Sequence, residues 1–450
     1  MKLSLDEVIE ATGGRPAGAI RRGPRVVSSF HTDSREMAPG GLFFALRGTQ
    51  MDGARFVPDA VGRGAAAVVV DRPLAAPGVA VIVVEDPWAA LYALAGRVLE
   101  RVAPLVVGVT GSNGKTSTRE MIAAALGVRL SVHRSEGNLN TETGVPLTIL
   151  GLLPEHRALV LEMGMQAPGE IARLARLGRP RVGVVTSIGT VHMEFFAGRE
   201  ELARAKGELA AALPPDGLAV LNAEDPFTPL LESMTRARVT TFGLGVGDLR
   251  GDGYRARGEG GVITVRGRQV RLGLPGRHQA RNALAALAVA EFAGIPVEEA
   301  APPLARVSIE GRLRRLPGDG GIVIVDDAYN ASPESMLAAF ETLAERSRRG
   351  RLLGVLGEMR ELGPLAEQAH REVGARAREV FDGAAVLDVG MGAVLAKAAG
   401  ARLVPDLDAA ERWVREGARP GDVVLIKASH GLRLDELVLR LRERRASGEQ

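Results

Sequence analysis

The sequence predicts an α/β protein of three domains. The chain has 450 residues, which is too long for one ordinary hydrophobic core. Short apolar runs alternate with helix-like stretches along its length, an order typical of parallel sheets covered by helices. The alternation changes character near residue 103, and a new series begins near residue 313. We therefore expect domains over residues 1–102, 103–312 and 313–450.

The first segment has the pattern of a small α/β unit. Its apolar runs at Gly41–Leu46, Ala65–Val70 and Val79–Val84 have the length of strands, and Pro87–Val102 has the composition of a helix.

The central segment begins with Leu105–Thr110, an apolar run rich in valine and typical of a strand buried on both faces. A helix is predicted over Thr116–Leu126. Two further strands and an alanine-rich helix are predicted downstream, at Ala158–Met163, Val182–Thr186 and Arg281–Ala293. The stretches Pro214–Gly217 and Gly243–Gly261 are rich in proline or glycine, so we expect turns and connections there.

The last segment repeats the alternation of strands and helices. Its predicted strands are Ile322–Val325, Leu352–Leu356, Ala385–Val389 and Val423–Ile426. At about 140 residues the segment is large enough for a doubly wound, Rossmann-like domain.

The composition excludes several classes of protein. Hydrophobic residues make up 46% and charged residues 25%, as in folded globular proteins. No apolar run reaches the roughly 18 residues of a membrane span, and Asp6, Glu7 and Glu10 interrupt the region where a secretory signal would be apolar. The chain has no cysteine, which excludes disulfides, thiolate metal sites and a cysteine nucleophile. We expect a cytoplasmic protein without membrane insertion.

The charge pattern argues against a nucleic-acid partner. The formal net charge is +3, the arginines are interspersed with acidic residues, and aromatic residues make up 4%. A nucleic-acid-binding protein would show a basic face with stacking residues. We expect a monomer that acts on small molecules.

Lysine is rare among the 57 basic residues. The five lysines are Lys2, Lys115, Lys206, Lys397 and Lys427. A lysine kept in an arginine-rich chain indicates either chance or a position that needs a compact charge or a reactive amine. Lys115, Lys206 and Lys427 fall inside the motifs described below.

A glycine loop between a strand and a helix is the clearest motif. It consists of Thr110, Gly111, Ser112, Asn113, Gly114, Lys115 and Thr116. The spacing Gly-x-x-Gly-Lys-Thr is a shortened form of the phosphate-binding loop, in which backbone N–H groups and the helix N-terminus surround phosphate oxygens. We expect ATP here, with Lys115 neutralising the β- and γ-phosphates and the Thr116 hydroxyl binding Mg²⁺. The alternative is an ordinary glycine-rich turn.

Three more polar residues fit this chemistry, although each has an ordinary alternative. Glu162 ends a predicted central strand, where its carboxylate would point to the phosphates and bind Mg²⁺, but it could equally lie on the surface. His192 follows another strand and is either a loop residue or a ligand. Lys206 is either a surface charge of a helix, paired with a glutamate, or part of the site.

In their order along the chain, these residues resemble the Mur ligase family, the ATP-dependent amide-bond ligases of bacterial cell-wall (peptidoglycan) synthesis. The resemblance covers nearly the whole chain and is carried by the glycine loop and by Gly137–Asn140, Glu162–Gly164, His192, Ala205–Glu208, Gly276–His278, Asn282, Glu310–Arg312 and Asp326–Asn330. Within the family, three segments favour the type that joins D-alanyl-D-alanine to UDP-N-acetylmuramoyl-tripeptide: Ala203–Glu208, Leu356–Gly363 and Ile426–Gly431.

The resemblance implies ATP and two Mg²⁺ ions as cofactors. Lys115, Thr116 and Glu162 would serve the phosphates and the first ion. His192 and a carbamylated Lys206 would hold the second ion, so that Lys115, His192 and Lys206 form the catalytic set.

It also implies substrate contacts. Asn282 would contact adenine, and Arg312 and Asp327 would reach the phosphates and ribose. The candidates for the UDP-sugar, expected on the first domain and its junction, are Ser34, Arg35, Asn138, Asn140 and Thr141. Asp33–Arg35 fits a turn with a local ion pair equally well. Gln279 stands where the family usually has asparagine, so we expect no role for it.

The implied reaction passes through an acyl phosphate, with the last domain binding the amino donor and closing on the nucleotide.

A sister ligase adding diaminopimelate or lysine is a rival, but the Asp-Asn-Pro-Arg signature expected of it is absent from the last segment. A folylpolyglutamate-type ligase should lack the first domain. A rival of another class is a nucleotide-switch binding module, for which Glu162, His192 and Lys206 would be superfluous.

Overall fold

The computed structural model describes residues 1–17, 26–48, 51–346 and 349–442. Within those residues the main strands form three sheets, one in each segment predicted from the sequence. We call these segments the first, central and third units. The α/β prediction is confirmed, whereas the three domain limits stay predictions, and residues 443–450 lie outside the described part of the chain.

The first unit has a five-stranded sheet in the order β2-β7-β6-β5-β4, in which only β2 is antiparallel to its neighbour. A two-stranded ribbon of β1 and β3 lies beside it. The elements are β1 (Leu3–Ser4), α1 (Leu5–Thr12), β2 (Arg15–Pro16), β3 (Val26–Val27), β4 (Phe30–His31), β5 (Leu42–Phe44), α2 (Val57–Gly62), β6 (Ala67–Val70), β7 (Ala80–Val83) and α3 (Pro87–Val102).

The central unit has a nine-stranded sheet in the order β16-β15-β14-β13-β12-β11-β8-β10-β9, parallel from β9 to β14. Its strands are β8 (Leu105–Thr110), β9 (Val132–Arg134), β10 (Ala158–Glu162), β11 (Val182–Val185), β12 (Leu218–Asn222), β13 (Arg238–Leu244), β14 (Leu249–Arg257), β15 (Gly260–Val265) and β16 (Arg268–Leu272). Its helices are α4 (Lys115–Leu126), α5 (Gly144–Leu150), α6 (Glu170–Gly178), α7 (Arg199–Ala211), α8 (Thr228–Ser233), α9 (Arg277–Phe292) and α10 (Val297–Ala300).

The prediction that Gly243–Gly261 is a connection was wrong. Most of this stretch forms β14 and the start of β15, which pair as an antiparallel hairpin. The glycines allow close packing: a Cβ at Gly251 would lie 3.0 Å from Leu284 of α9, and one at Gly261 would lie 2.6 Å from Tyr254 of β14. A glycine that is needed because two segments pack closely cannot be told from a glycine in a turn when only the sequence is known.

The third unit has a six-stranded sheet in the order β17-β18-β22-β19-β20-β21, with only β17 antiparallel. Its elements are β17 (Arg314–Pro317), β18 (Val323–Asp326), α11 (Pro333–Ala344), β19 (Leu352–Leu356), α12 (Ala366–Val380), β20 (Gly383–Leu387), α13 (Gly392–Ala399), β21 (Arg402–Val404), α14 (Leu407–Gly417), β22 (Val423–Lys427) and α15 (Leu434–Arg442). No helix of the described residues is long and apolar enough to cross a membrane.

Packing between the units places the functional cleft. One continuous core joins the first and central units, where Leu91 and Leu94 of α3 belong to the same cluster as Ile149 of α5 and Leu174 of α6. The loops that follow β8, β10 and β11 line one cavity together with Trp88 of the first unit and Tyr329 of the third, so this edge of the central sheet faces both other units. Ligands of parallel α/β sheets bind at this edge, beyond the carboxyl ends of the strands.

Candidate active site

Two cavities of about 530 and 500 Å³ meet at the glycine loop. The first extends from Lys115 toward Trp88 of the first unit, and the second extends toward Asn282 and Lys427. We call them the acyl cavity and the adenosine cavity, after the groups that the resemblance leads us to expect in them. Five residues line both cavities: Asn113, Gly114, Thr116, Arg312 and Ser335.

The glycine loop has the geometry of a phosphate site. Gly111 and Gly114 have φ angles of +144° and +86°, and α4 begins immediately after Gly114. Nζ of Lys115 donates to the carbonyl oxygen of Gly111 at 2.8 Å, so its charge lies inside the loop. Burial lowers the pKa of Lys115, and Arg312 lowers it further, whereas Glu162 opposes the shift. An anionic ligand would raise the pKa of Lys115 again and favour the charged form of the amine.

Gly111→Ala should weaken ATP binding by about tenfold to a hundredfold. A Cβ at this position would collide with the Thr186 hydroxyl, and φ is in the region that favours glycine. Titration with a fluorescent ATP analogue checks this. Gly96→Ala is the control, because a Cβ there meets no atom within 4 Å. Equal affinity in Gly111→Ala and wild type would contradict the loop assignment.

Glu162 is held at the end of β10 with 3% of its surface exposed. Its Oε2 accepts hydrogen bonds from Thr116 Oγ1 at 3.0 Å and from Arg119 Nη1 at 3.1 Å. Its Oε1 accepts one from Asn140 Nδ2 at 2.9 Å. The hydroxyl and carboxylate are the hard oxygen donors that Mg²⁺ prefers. The described residues contain no cluster of three or more His, Asp or Glu side chains that could hold an ion, so phosphate and water oxygens would have to complete the coordination.

His192 lines the acyl cavity and contacts the third unit. Its Nδ1 lies 2.5 Å from Oε2 of Glu361, close enough for an ion pair, but the two groups are not oriented for a hydrogen bond. Contact with His192 lowers the pKa of Glu361. The loop after β11 therefore carries His192 to the boundary between two units.

Lys206 is buried within α7, with 1% of its surface exposed. The exposed alternative, a surface lysine paired with Glu201 or Glu208, is therefore wrong. Those glutamates accept hydrogen bonds from backbone N–H groups, Glu201 from Ala197 and Glu208 from Gly169 and Ala172. Burial and then the Lys115 cation lower the pKa of Lys206 well below its usual range. Lys206 lies near Lys115 but lines neither cavity.

The adenosine cavity is lined by α9 residues. Asn282 is buried, and a Cβ at Gly114 would lie 2.7 Å from its Oδ1, so Asn282 packs directly on the loop. Gln279 links the two helices: its Nε2 donates to Ser117 Oγ at 3.2 Å, and its Oε1 accepts from Asn282 Nδ2 at 3.0 Å. Gln279 thus orients Asn282. From the sequence we expected no role for Gln279, because this residue departs from the family pattern. Burial lowers the pKa of His278 to about 3, so this ring is neutral.

Arg312 and Asp327 lie where the central and third units meet. The Arg312 guanidinium packs 4.6 Å from the centre of the Tyr329 ring. Asp327 is buried in the wall of the adenosine cavity, with its Oδ2 2.6 Å from Nζ of Lys427. Lys427 also donates to the Asn330 carbonyl at 2.9 Å, so this lysine joins β22 to the loop after β18.

Some of the remaining predicted residues line a cavity and others do not. Asn140 and Thr141 line the acyl cavity, whereas Asn138 is exposed and lines neither cavity. Thr110 is fully buried under the loop with its hydroxyl unpaired. Ser34 is buried and Arg35 is exposed in an ion pair with Asp33 at 2.6 Å, and neither lines a cavity. The substrate roles of Ser34, Arg35 and Asn138 stay predictions.

Comparison with known proteins decides the family. Residues 109–290, 311–430 and 27–98 match the family models described as Mur ligase middle domain, Mur ligase glutamate ligase domain and Mur ligase family catalytic domain. The chain is 38% identical over 430 residues to the UDP-N-acetylmuramoyl-tripeptide–D-alanyl-D-alanine ligase of Bacillus subtilis strain 168, a match that covers 92% of this chain and 93% of that protein. The chain belongs to the Mur ligase family.

Solved structures of Mur ligases share the three-domain α/β fold, which confirms the predicted fold class. MurF from Acinetobacter baumannii matches with a TM-score of 0.89 and 28% identity, covering 99% of both chains. The MurF ligase from Thermotoga maritima in complex with ADP matches with a TM-score of 0.82 and 30% identity, covering 92% of this chain and 97% of that one.

The residues of this Mur ligase site that were not predicted include Arg119, Trp88 and Glu334. Arg119 lies one helical turn after Thr116, a spacing that could have indicated a shared face. Trp88 lines the acyl cavity from the first unit, and Glu334 lines the adenosine cavity from the third. Both come from units distant in sequence, where no local pattern could indicate the contact.

Proposed function

We propose that this Mur ligase is an ATP-dependent amide-bond ligase that joins D-alanyl-D-alanine to UDP-N-acetylmuramoyl-tripeptide and releases ADP and phosphate. The observation that carries the proposal is that Lys115, Thr116 and Glu162 line the acyl cavity beside the point where it meets the adenosine cavity. The choice of substrates is supported by the name of the 38%-identical relative. We place the reaction in the cytoplasm, where ATP is available.

The residues serve the reaction by position and charge. The tripeptide carboxylate attacks the γ-phosphorus of ATP, which gives an acyl phosphate and ADP; the amine of D-alanyl-D-alanine then attacks the acyl carbon, and phosphate leaves. Lys115 neutralises charge on the transferred phosphoryl group, and the loop N–H groups hold its oxygens. Asn282 holds adenine, and Arg312 and Asp327 serve the phosphates and ribose.

Mg²⁺ fits the Thr116 hydroxyl and the Glu162 carboxylate, which line the acyl cavity. Thr116 and Glu162 would hold one ion, and His192 with a carbamylated Lys206 would hold another. When bound, the ions would neutralise phosphate charge and polarise phosphoryl oxygens. We assign UDP-sugar binding to residues 1–102, ATP binding to 103–312 and donor binding to 313–450.

Phosphate release should require ATP, the UDP-linked tripeptide and D-alanyl-D-alanine together. A coupled phosphate assay that omits each substrate in turn checks this, and we expect turnover to fall to background in every omission. Faster turnover with free diaminopimelate or lysine and the UDP-linked dipeptide would identify the sister ligase. ATP hydrolysis that no amine or peptide affects would identify a nucleotide switch.

A further inference from the structure

Side chains from the start of α11 reach across the cleft to the phosphate loop. Glu334 Oε1 accepts a hydrogen bond from Thr190 Oγ1 at 2.9 Å, and its Oε2 accepts one from Asn113 Nδ2 at 3.4 Å. Ser332 Oγ donates to Asn113 Oδ1 at 3.0 Å. We call these four residues the bridge. It joins the third unit to two loops of the central unit.

The local sequence explains why the bridge is rigid on the α11 side. Ser332 caps the helix by accepting from the Ser335 N–H at 3.2 Å, and Pro333 follows at the first helical position. Across the cleft, Gly189 leaves just enough room for the carboxylate, since a Cβ there would lie 2.9 Å from Glu334 Oε1. Glu334 is therefore held by contacts on both sides.

The bridge lies at the junction of the two cavities. Asn113 and Ser335 line both of them, and Glu334 lines the adenosine cavity. A nucleotide with its adenine near Asn282 and its γ-phosphate near Lys115 must therefore run its polyphosphate chain past Asn113. Its phosphates would carry negative charge close to the Glu334 carboxylate, and like charges repel strongly in a partly buried site.

We propose that Glu334 closes a gate over the nucleotide passage, and that breaking its bridge to Thr190 and Asn113 limits both entry and exit of nucleotide. The proposal rests on the proposed ATP site. Glu334 is a positioning residue of the third unit: it contacts the loop and not the reacting atoms. Because the bridge crosses two units, its breaking also removes two of the contacts that hold the third unit against the loops of the central unit.

The kinetics of a fluorescent ADP analogue test the gate. Glu334→Ala removes both hydrogen bonds of the Glu334 carboxylate. Thr190→Val removes the shorter of the two from the side of the central unit without altering α11. Glu341→Gln on the exposed side of α11 is the matched control. Stopped-flow measurements give association and release rate constants for each full-length variant, and thermal melts check that each is folded.

A gate must open in both directions, so we expect association and release to accelerate by about tenfold in each single variant. Their ratio, the dissociation constant, should change by less than about threefold in Thr190→Val, which keeps the carboxylate, and should fall in Glu334→Ala, where the repulsion of the phosphates is lost. Thr190→Val should add little in the Glu334→Ala background, because both remove one interaction. Glu341→Gln should behave as wild type.

Two results would overturn the gate. Unchanged rates in Thr190→Val and Glu334→Ala would show that the bridge does not limit exchange. Faster release with unchanged association would make Glu334 an ordinary binding contact. If wild type itself bound no nucleotide, the proposed function would fail with the gate, whereas normal wild-type binding with unchanged variant rates would overturn the gate alone.

Discussion

Lys115→Ala is expected to lower kcat/KM for ligation by about a thousandfold, the scale on which a single cation contributes to phosphoryl transfer. The amine lies inside the glycine loop, 2.8 Å from the Gly111 carbonyl oxygen. At this position it would neutralise the negative charge of the phosphoryl group during transfer. Lys115→Arg should fail as well, because the planar guanidinium does not fit a site shaped for a compact ammonium. Steady-state phosphate release at saturating D-alanyl-D-alanine measures both variants.

The loss should be catalytic and not structural. Burial lowers the pKa of Lys115, so removal of this amine should leave the melting temperature the same or higher. Lys397→Ala, at an exposed position of α13, is the control and should retain full activity. Turnover at the wild-type rate in Lys115→Ala would end the assignment of the ATP site.

Lys206→Arg is expected to lower kcat by about a hundredfold, a loss typical of damage around a metal site. Burial and then the Lys115 cation lower the pKa of the Lys206 amine well below its usual range, which favours its neutral form. A neutral amine attacks carbon dioxide to form a carbamate and releases one proton, which creates an oxygen anion of the type that Mg²⁺ prefers. Arginine stays protonated and cannot make this change.

A spectroscopic measurement separates the carbamate from a merely structural lysine. After incubation with ¹³C-bicarbonate, wild type should show a carbamate carbonyl signal by ¹³C NMR that Lys206→Arg lacks. Lys397→Arg is the matched control and should keep both the signal and the activity. A fully active Lys206→Arg enzyme, or a wild type without the signal, would contradict the prediction.

The pH dependence of stability gives a second check on Lys206. Its pKa is lowered in the folded chain, whereas the unfolded chain has the usual value of 10.5. Below that value the unfolded state binds more protons, so folding stability falls as the pH drops from about 10.5 toward the folded pKa. Lys206→Met, of similar volume, should therefore be more stable than wild type at pH 7 and lose this advantage above pH 10.5, while remaining inactive.

The sequence by itself determined the local parts of this protein. The valine-rich run Leu105–Thr110 and the Gly-x-x-Gly-Lys-Thr loop predicted the central strand and the phosphate site. Those predictions depend on side-chain periodicity and on glycine at positive φ, which are properties of neighbouring residues. The family motifs supplied Glu162, His192, Asn282 and their expected ligands.

Only the tertiary structure decided how distant residues meet. It placed Lys206 in the interior near Lys115, brought Glu361 against His192 and Glu334 against Asn113, and left Arg35 outside both cavities. Glu361–His192 and Glu334–Asn113 form where the third unit packs against the central unit, and Lys206 and Lys115 come together through the fold of the central unit itself. Docking depends on the shape and charge of whole surfaces, which no short window of sequence contains.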